Sequence, residues 1–432
     1  MKINSQVTDS MCFYQGHDPI NLIETYASPL YVYNENIFRQ RCREMMKLSS
    51  YPNFVVNYAI KSNSNLNLLK IAKEEGLRAD VSSQGETIAA FAAGFTPDEL
   101  FFIVNNVSPE ELQFAVDHNV MISVDSLSQL ETLGKLLEKH GKENRRIALR
   151  FNTGIGGGHS KNVVTSGDGT KFGIMSEYIP QVKELLKKYD LSLVGINHHI
   201  GSLNWGELYL EGAKALLDVA HHFENLEFID LGGGFAIPYH KQDGEKALDL
   251  EKLSAGLTKC MYSFAKEYGK QIQFMIEPGR YISAECGVLL GTVHSIKDCG
   301  CSKYAGTDIG FSVLLRTTLY DTDSTKPEDD PPHHDIEVYR SVCDNVTGET
   351  ETITIVGNQC ESGDYIAKDR CLPKLNEGDI LGVLDAGAYG YSMSSTYNMR
   401  LRPAEVLICS DDSLKLVRKR DTYEGLIENM IM

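Results

Sequence analysis

Lys61 closes the run Tyr58-Ala-Ile-Lys-Ser-Asn, and a primary amine at the end of an apolar strand is a candidate nucleophile. An ammonium desolvated in such a place loses proton affinity, which is what Schiff-base chemistry asks of a lysine. Two other stretches carry complementary chemistry. Asp230-Leu-Gly232-Gly233-Gly234-Phe is a turn whose glycines let backbone N–H groups approach an anion, and Glu277-Pro-Gly-Arg280 sets a carboxyl beside a guanidinium. His198-His199-Ile-Gly-Ser202 adds an imidazole that can stack on a ring and a hydroxyl that can meet an anion. Asp80 and Arg150 stand at the ends of two further apolar runs. Cys360-Glu361-Ser-Gly-Asp and Asp385-Ala-Gly-Ala-Tyr389 are loops of small residues bearing a thiol, a carboxylate and a phenol. Each stretch also has a plain structural reading: a surface lysine, an ordinary turn, a core histidine, an ion pair.

Chemistry at these positions needs elements that bring them to one place. Apolar, β-branched runs at Phe54–Ile60, Gly76–Val81, Phe101–Val104, Val120–Val124, Arg146–Phe151, Leu193–His199, Leu226–Leu231 and Ile272–Glu277 predict eight strands. Helical patterns alternate with them, as in Ser108-Pro-Glu-Glu, where a serine N-cap precedes a proline at the first helical position. Eight strands alternating with helices over roughly 230 residues match a (β/α)8 TIM-type barrel, with a doubly wound sheet as the alternative. In such barrels, side chains at the C-terminal ends of the strands do the chemistry, and phosphate sites favour the loops after strands seven and eight. Those two loops carry the glycine triplet and Arg280. A lysine, a phosphate cradle and a carboxyl able to keep a ring nitrogen protonated together describe a site for pyridoxal phosphate, PLP.

After Glu285 the pattern changes to short strands separated by Gly, Asp and Pro turns, from Val288–Ile296 to Leu414–Arg418, which predicts an all-β domain. A strand at Pro29–Tyr33 precedes the barrel. Residues 36–285 are therefore expected to form the barrel, and 1–35 with 286–432 the β-domain. Asp321–Asp335, polar and with three prolines, is expected to be a loop excursion. The chain has 432 residues, 42 basic against 59 acidic, and a net charge of -17, which argues against nucleic acid as a partner. No apolar run is long enough to span a membrane, and no secretory signal is read at the start. Ten cysteines without a CxxC pair are expected to be reduced thiols in a cytoplasm. His159 and His333-His334 are read as loop histidines, and no metal site is expected.

Seven stretches in order resemble the fold-type III PLP-dependent decarboxylases, with their alanine-racemase-like barrel, and within them the diaminopimelate decarboxylases. They are Tyr-Ala-Ile-Lys-Ser-Asn at 58–63, Gly-Gly-Gly-His-Ser at 156–160 with Lys-Phe-Gly-Ile at 171–174, His-Ile-Gly-Ser at 199–202, Asp-Leu-Gly-Gly-Gly-Phe at 230–235, Glu-Pro-Gly-Arg at 277–280, Cys-Glu-Ser-Gly-Asp at 360–364 and Gly-Ala-Tyr-Gly-Tyr-Ser-Met at 387–393. The resemblance implies that Lys61 holds PLP covalently, that His199 stacks on its ring, and that Glu277 pairs with the ring nitrogen. It implies a phosphate held by Ser202, Gly232, Gly233, Gly234 and Tyr389, with Arg280 between phosphate and substrate, and Asp80 and Arg150 lining the cofactor from the barrel floor. Cys360 would be the general acid, on a loop that reaches the neighbouring subunit's site in a homodimer. Arg280, Arg316, Tyr320, Glu361 and Tyr389 would bind substrate, with Glu361 on a distal amine and the arginines on a distal carboxylate. The implied reaction is loss of CO2 from meso-diaminopimelate to give lysine. Relatives acting on ornithine, lysine, their D forms or a carrier-bound amino acid, and a non-catalytic homologue that binds a partner enzyme, are the alternatives. The stretch Thr307–Leu314, Ser62 and the proline-rich insert depart from the usual pattern.

Overall fold

The computed structural model describes residues 12–141, 145–158, 161–202, 205–320, 334–340 and 348–432. The chain divides into two compact units: one of Arg39–Ala236 with Ala247–Ile282, the other of the chain up to Phe38, Ile237–Lys246 and everything from Ser283 on. The strands, in chain order, begin with β1 (Leu30–Asn34), which belongs to the second unit. Then come β2 (Phe54–Ala59), β3 (Arg78–Val81), β4 (Leu100–Ile103), β5 (Met121–Val124), β6 (Arg146–Asn152), β7 (Ile174–Met175), β8 (Ser192–Asn197), β9 (Phe228–Asp230) and β10 (Gln273–Ile276).

In the first unit β2, β3, β4, β5, β6, β8, β9 and β10 pair in that order, all parallel, and β10 returns to β2 to close an eight-stranded barrel. The two-residue β7 adds only to the edge of β6. The expected fold class is therefore the observed one, and no end of the eight expected strands moves by more than two residues. Helices alternate with the strands, and their starts obey local capping chemistry. Ser83, Ser108, Ser126 and Asp249 each accept a backbone N–H of the first turn with their side chain, and Ser108 with Glu111 completes a reciprocal capping box. The barrel is filled rather than open. Phe101, Ile103, Ala148, Val194, Phe228 and Met275 form a buried cluster, with Phe101 and Phe228 packed edge to face at 5.3 Å. Gly195 is obligatory there, because a Cβ would stand 2.0 Å from the Phe228 ring.

The second unit is built on a sheet in which β1 lies between β11 (Gly287–Asp298), antiparallel, and β17 (Ala404–Ile408), parallel. Beyond β11 come β12 (Lys303–Thr307), β14 (Thr350–Val356) and β15 (Tyr365–Pro373). Beyond β17 lies β18 (Leu414–Arg418), while β16 (Ile380–Val383) joins β11 to β13 (Ile336–Tyr339). The unit is not purely β: Pro19–Tyr26 is a helix capped by Asp18. Strand β15 escapes a reading by alternation because its middle, Lys368-Asp-Arg-Cys, faces solvent while both ends are buried. The expected strand Ile336–Asp344 is formed through Tyr339; its end, and most of the expected excursion Asp321–Asp335, lie outside the described residues. Among the described residues no helix is long and apolar enough to cross a membrane.

Candidate active site

The C-terminal ends of the barrel strands gather the expected barrel residues. β2 stops at Ala59 and the chain tightens into a 3-10 turn, Ile60–Ser62, with Ser62 Oγ donating back to Ala59 O at 2.8 Å. Lys61 lies in this turn, not on the strand. Its side chain is 39% exposed and Nζ donates to Asp80 Oδ2 at 2.9 Å, from the end of β3. The expected desolvated amine is thus corrected to a half-exposed one held by a carboxylate buried to 1% exposure. Asp80 interacts in turn with Glu86, whose carboxyl burial pushes up despite a hydrogen bond from Ser82 N.

A second cluster lies at β9 and β10. Asp230, fully buried, accepts Gly232 N at 2.8 Å and Asn57 Nδ2 at 3.2 Å. Burial pushes its pKa up to about 7, and Glu277, buried beside it, is raised well above the carboxylate range by burial and by the charges of Asp230 and Asp80. Two carboxyls so close in a low dielectric cannot both ionise, so the pair holds a proton near neutral pH. Glu277 Oε1 is buried and receives no hydrogen bond from any described residue. Arg150, on β6, spans the barrel electrostatically towards Glu277, Asp125 and Asp80. Burial lowers its own proton affinity, and its guanidinium lies 4.6 Å from the Phe172 ring.

His199 follows β8. Desolvation, with Lys61 and Arg150 nearby, pushes it well below the usual imidazole range, so it is neutral. The Gly233 N–H donates to its Nδ1 at 3.2 Å, which leaves the ring proton on Nε2. His198 is buried and pushed down to about 3 by burial, and its Nε2 meets Leu231 O. The glycine turn passes between these loops. At Gly232 (φ +69°) a Cβ would stand 2.3 Å from His198 O, and at Gly233 one would stand 2.1 Å from Glu277 O. Arg280, buried, donates through Nε and Nη2 to Ser202 Oγ at 3.2 and 3.1 Å.

These residues fit PLP on their own geometry. A buried carboxyl offers an unused oxygen, Gly232 and Gly233 leave no room for a side chain, a buried arginine holds a hydroxyl, and an amine donates to a carboxylate. Asp230, His198 and Glu86 were not singled out as site residues. A buried acid inside Phe228-Ile-Asp-Leu was the available signal for Asp230; nothing in the spacing marks the other two.

The remaining expected residues belong to the second unit. Arg316 starts the short helix Arg316–Leu319 and is buried, its guanidinium 3.9 Å from the Tyr239 ring centroid and Nη1 3.3 Å from His334 Nε2. His334 Nδ1 faces Leu384 O at 2.6 Å and carries the proton, so Nε2 accepts from the arginine. Tyr320, half-buried, caps the helix with its N–H on Arg316 O. Tyr389 adopts a left-handed conformation (φ +57°) in the loop after Asp385, whose carboxylate takes Lys241 Nζ at 2.7 Å. Cys360 is exposed. Its Sγ takes Asn398 Nδ2 at 3.2 Å and lies 3.6 Å from Tyr397 Oη, which donates to Glu361 Oε1 at 2.6 Å. Those contacts, Tyr397 first, lower the thiol pKa. Tyr397, Asn398, Tyr239 and His334 were not foreseen.

The family model for the pyridoxal binding domain of pyridoxal-dependent decarboxylases matches residues 36–284. The chain is 39% identical to the diaminopimelate decarboxylase of Methanothermobacter thermautotrophicus over 421 residues, 95% of this chain and 94% of that one. It is 33% identical to that of Archaeoglobus fulgidus over 98% of this chain and 97% of the other. The crystal structure of diaminopimelate decarboxylase from Helicobacter pylori complexed with L-lysine matches with a TM-score of 0.84 at 28% identity, covering 95% of this chain and 98% of that one.

Proposed function

The chain belongs to the pyridoxal-dependent decarboxylases, and we propose that it converts meso-2,6-diaminopimelate to L-lysine and CO2. One observation carries the site: the buried, unused Oε1 of Glu277, on a carboxyl whose proton affinity burial raises, where a ring nitrogen would meet it. PLP, when bound, supplies the electron sink for the pair left on the α-carbon as CO2 departs. The chain does the rest. Lys61 would hold the cofactor covalently, and Asp80, which accepts from Nζ at 2.9 Å, would keep its free ammonium in place. The neutral ring of His199 would face the cofactor ring without adding charge. Gly232, Gly233, Gly234, Ser202 and Tyr389 would hold the phosphate, with Arg280 beside it, and Arg150 would balance the charge of the carboxyls. Cys360 delivers the proton to the α-carbon. Arg316, Arg280 and Tyr320 take the distal carboxylate, and Glu361 the distal ammonium. In this reading two chains form a homodimer with shared sites, working in the cytoplasm.

Arg316 tests the substrate. Nothing in the loss of the α-carboxylate needs it, so its task is the second carboxylate. Losing a charge-assisted contact in a buried site costs on the order of 2–5 kcal/mol, and ~1.4 kcal/mol is tenfold. Arg316→Ala is expected to lower kcat/KM for meso-diaminopimelate by roughly a hundredfold or more and leave any turnover of ornithine or lysine nearly unchanged. Equal loss on mono- and dicarboxylates, together with a lower melting temperature, would assign Arg316 to the packing of Tyr239 and His334 and sink the diaminopimelate reading.

A further inference from the structure

The Cys360 loop and the turn Tyr397–Met399 are interlocked. Cys360 N donates to Asn398 Oδ1 at 3.1 Å while Asn398 Nδ2 donates to Cys360 Sγ, so one amide fixes both the backbone and the sulfur of the cysteine. Asn398 (φ +54°) and Met399 (φ +56°) are both left-handed, a conformation that non-glycine residues adopt only when their surroundings hold them there. Asp364 anchors the other side of the loop by accepting Gln359 N at 2.6 Å and Phe311 N at 2.7 Å, and the Phe311 ring lies 5.3 Å from that of Tyr397. Tyr397 therefore has a held ring and a single hydroxyl proton, with two acceptors in reach: Glu361 Oε1 at 2.6 Å and the Cys360 sulfur at 3.6 Å.

We propose that Tyr397 is a positioning residue that couples the occupancy of Glu361 to the acidity of Cys360. The inference rests on the reading of Glu361 as the partner of the distal ammonium and of Cys360 as the proton donor. With Glu361 open, the hydroxyl proton is held mainly by the carboxylate, so Tyr397 stabilises the Cys360 thiolate only in part. An ammonium paired with Glu361 neutralises that acceptor. The hydroxyl then turns to the sulfur, where together with Asn398 it stabilises the thiolate that remains when the S–H bond breaks and the α-carbon gains its proton. Solvent returns the proton to sulfur. The groups facing the sulfur are Tyr397, Asn398 and Glu361, and the lowered thiol and raised phenol proton affinities both follow from their hydrogen bonds. A substrate without a distal ammonium leaves the donor weak, so selectivity is exercised in kcat as well as in binding.

The test is the pH midpoint of Cys360 alkylation by iodoacetamide, followed on its own peptide by mass spectrometry in the PLP-loaded enzyme. A midpoint is used because shielding of the sulfur by a ligand changes the rate but not the midpoint. L-lysine, which carries both an α-ammonium and an α-carboxylate, is compared with 6-aminohexanoate, which lacks the α-ammonium. Lysine is expected to lower the midpoint by about one pH unit, a tenfold change in thiolate fraction below it; 6-aminohexanoate leaves it in place. Tyr397→Phe, with an unchanged melting temperature, should raise the midpoint without ligand and abolish the response to lysine. Glu361→Gln should lower the midpoint without ligand and also abolish the response. A midpoint in the unaltered enzyme that ignores lysine, or a Tyr397→Phe enzyme that still responds, overturns the coupling. Undiminished CO2 release by Cys360→Ala would instead remove the proton-donor reading, independently of the alkylation series.

Discussion

The two ends of the barrel are made by the same eight strands and treat charge in opposite ways. At the N-terminal ends, around a cavity of about 790 Å3 lined by Arg78, Asp98, Glu99, Arg146, Glu227 and Gln273 among others, the charges are paired in contact with water. Arg146 bonds Glu227 with both side chains more than a third exposed, Lys73 bonds Glu99 at 2.8 Å, and Arg78 reaches Gln273 at 3.3 Å. At the C-terminal ends Asp80, Asp230, Glu277, Arg150 and His198 are buried; burial raises the proton affinities of Asp230 and Glu277 and lowers those of Arg150 and His198. Between the ends lies an apolar plug that includes Phe101, Phe228 and Met275; Asn57, beside it, lines the lower cavity and donates to Asp230. Charges that keep their water contribute little either way; charges that lose it become instruments of proton control.

Predictions that break this contrast can be ranked by size. The largest effect is expected for Lys61→Ala, which should abolish both CO2 release and the borohydride-reducible link to PLP while the far-UV spectrum is unchanged. A reducible adduct surviving in the variant would mean that another lysine carries the cofactor. Gly233→Ala comes next. Its Cβ would meet Glu277 O at 2.1 Å, so the backbone must shift, at a cost of about 1–3 kcal/mol in stability, and PLP titration should show weakened binding. Wild-type affinity for PLP would show that the turn has slack.

Asp230→Asn sharpens the comparison through pH. The folded value of about 7 lies above the ordinary 3.8, so the folded chain keeps a proton that the unfolded chain releases. Its contribution to stability is present below about pH 4 and lost as pH rises towards 7. Asparagine cannot ionise, so the melting temperatures of wild type and variant, compared in the cofactor-free protein from pH 4 to 8, should shift in favour of the variant as pH rises. A constant difference would show that Asp230 ionises freely. The smallest effect belongs to the other end: Arg146→Ala should cost no more than about 1 kcal/mol and leave kcat/KM untouched. A loss of activity there would show that the lower mouth communicates with the upper one.

What could be read without coordinates was local or periodic. Eight apolar runs, serine N-caps and the glycine turn depend on neighbours a few positions away, so the barrel and its chemical loops were legible, and Lys61, Gly232, Glu277 and Arg280 could be named in advance. Strand β15 was not, because its exposed polar centre breaks the pattern that identifies strands. Nor was the assignment of Ile237–Lys246 to the second unit, since nothing in that stretch changes composition at its ends. Proton affinities and partners were decided only by the tertiary structure. Lys61 proved half-exposed and paired with Asp80, Asp230 became a carboxyl titrating near neutrality, Arg316 found Tyr239 and His334, and Cys360 found Tyr397 and Asn398. The reason is physical: residue type sets what a side chain can donate or accept. Whether it keeps its water, and which charge stands within a few ångströms, depends on segments a hundred or more residues away that only folding brings together.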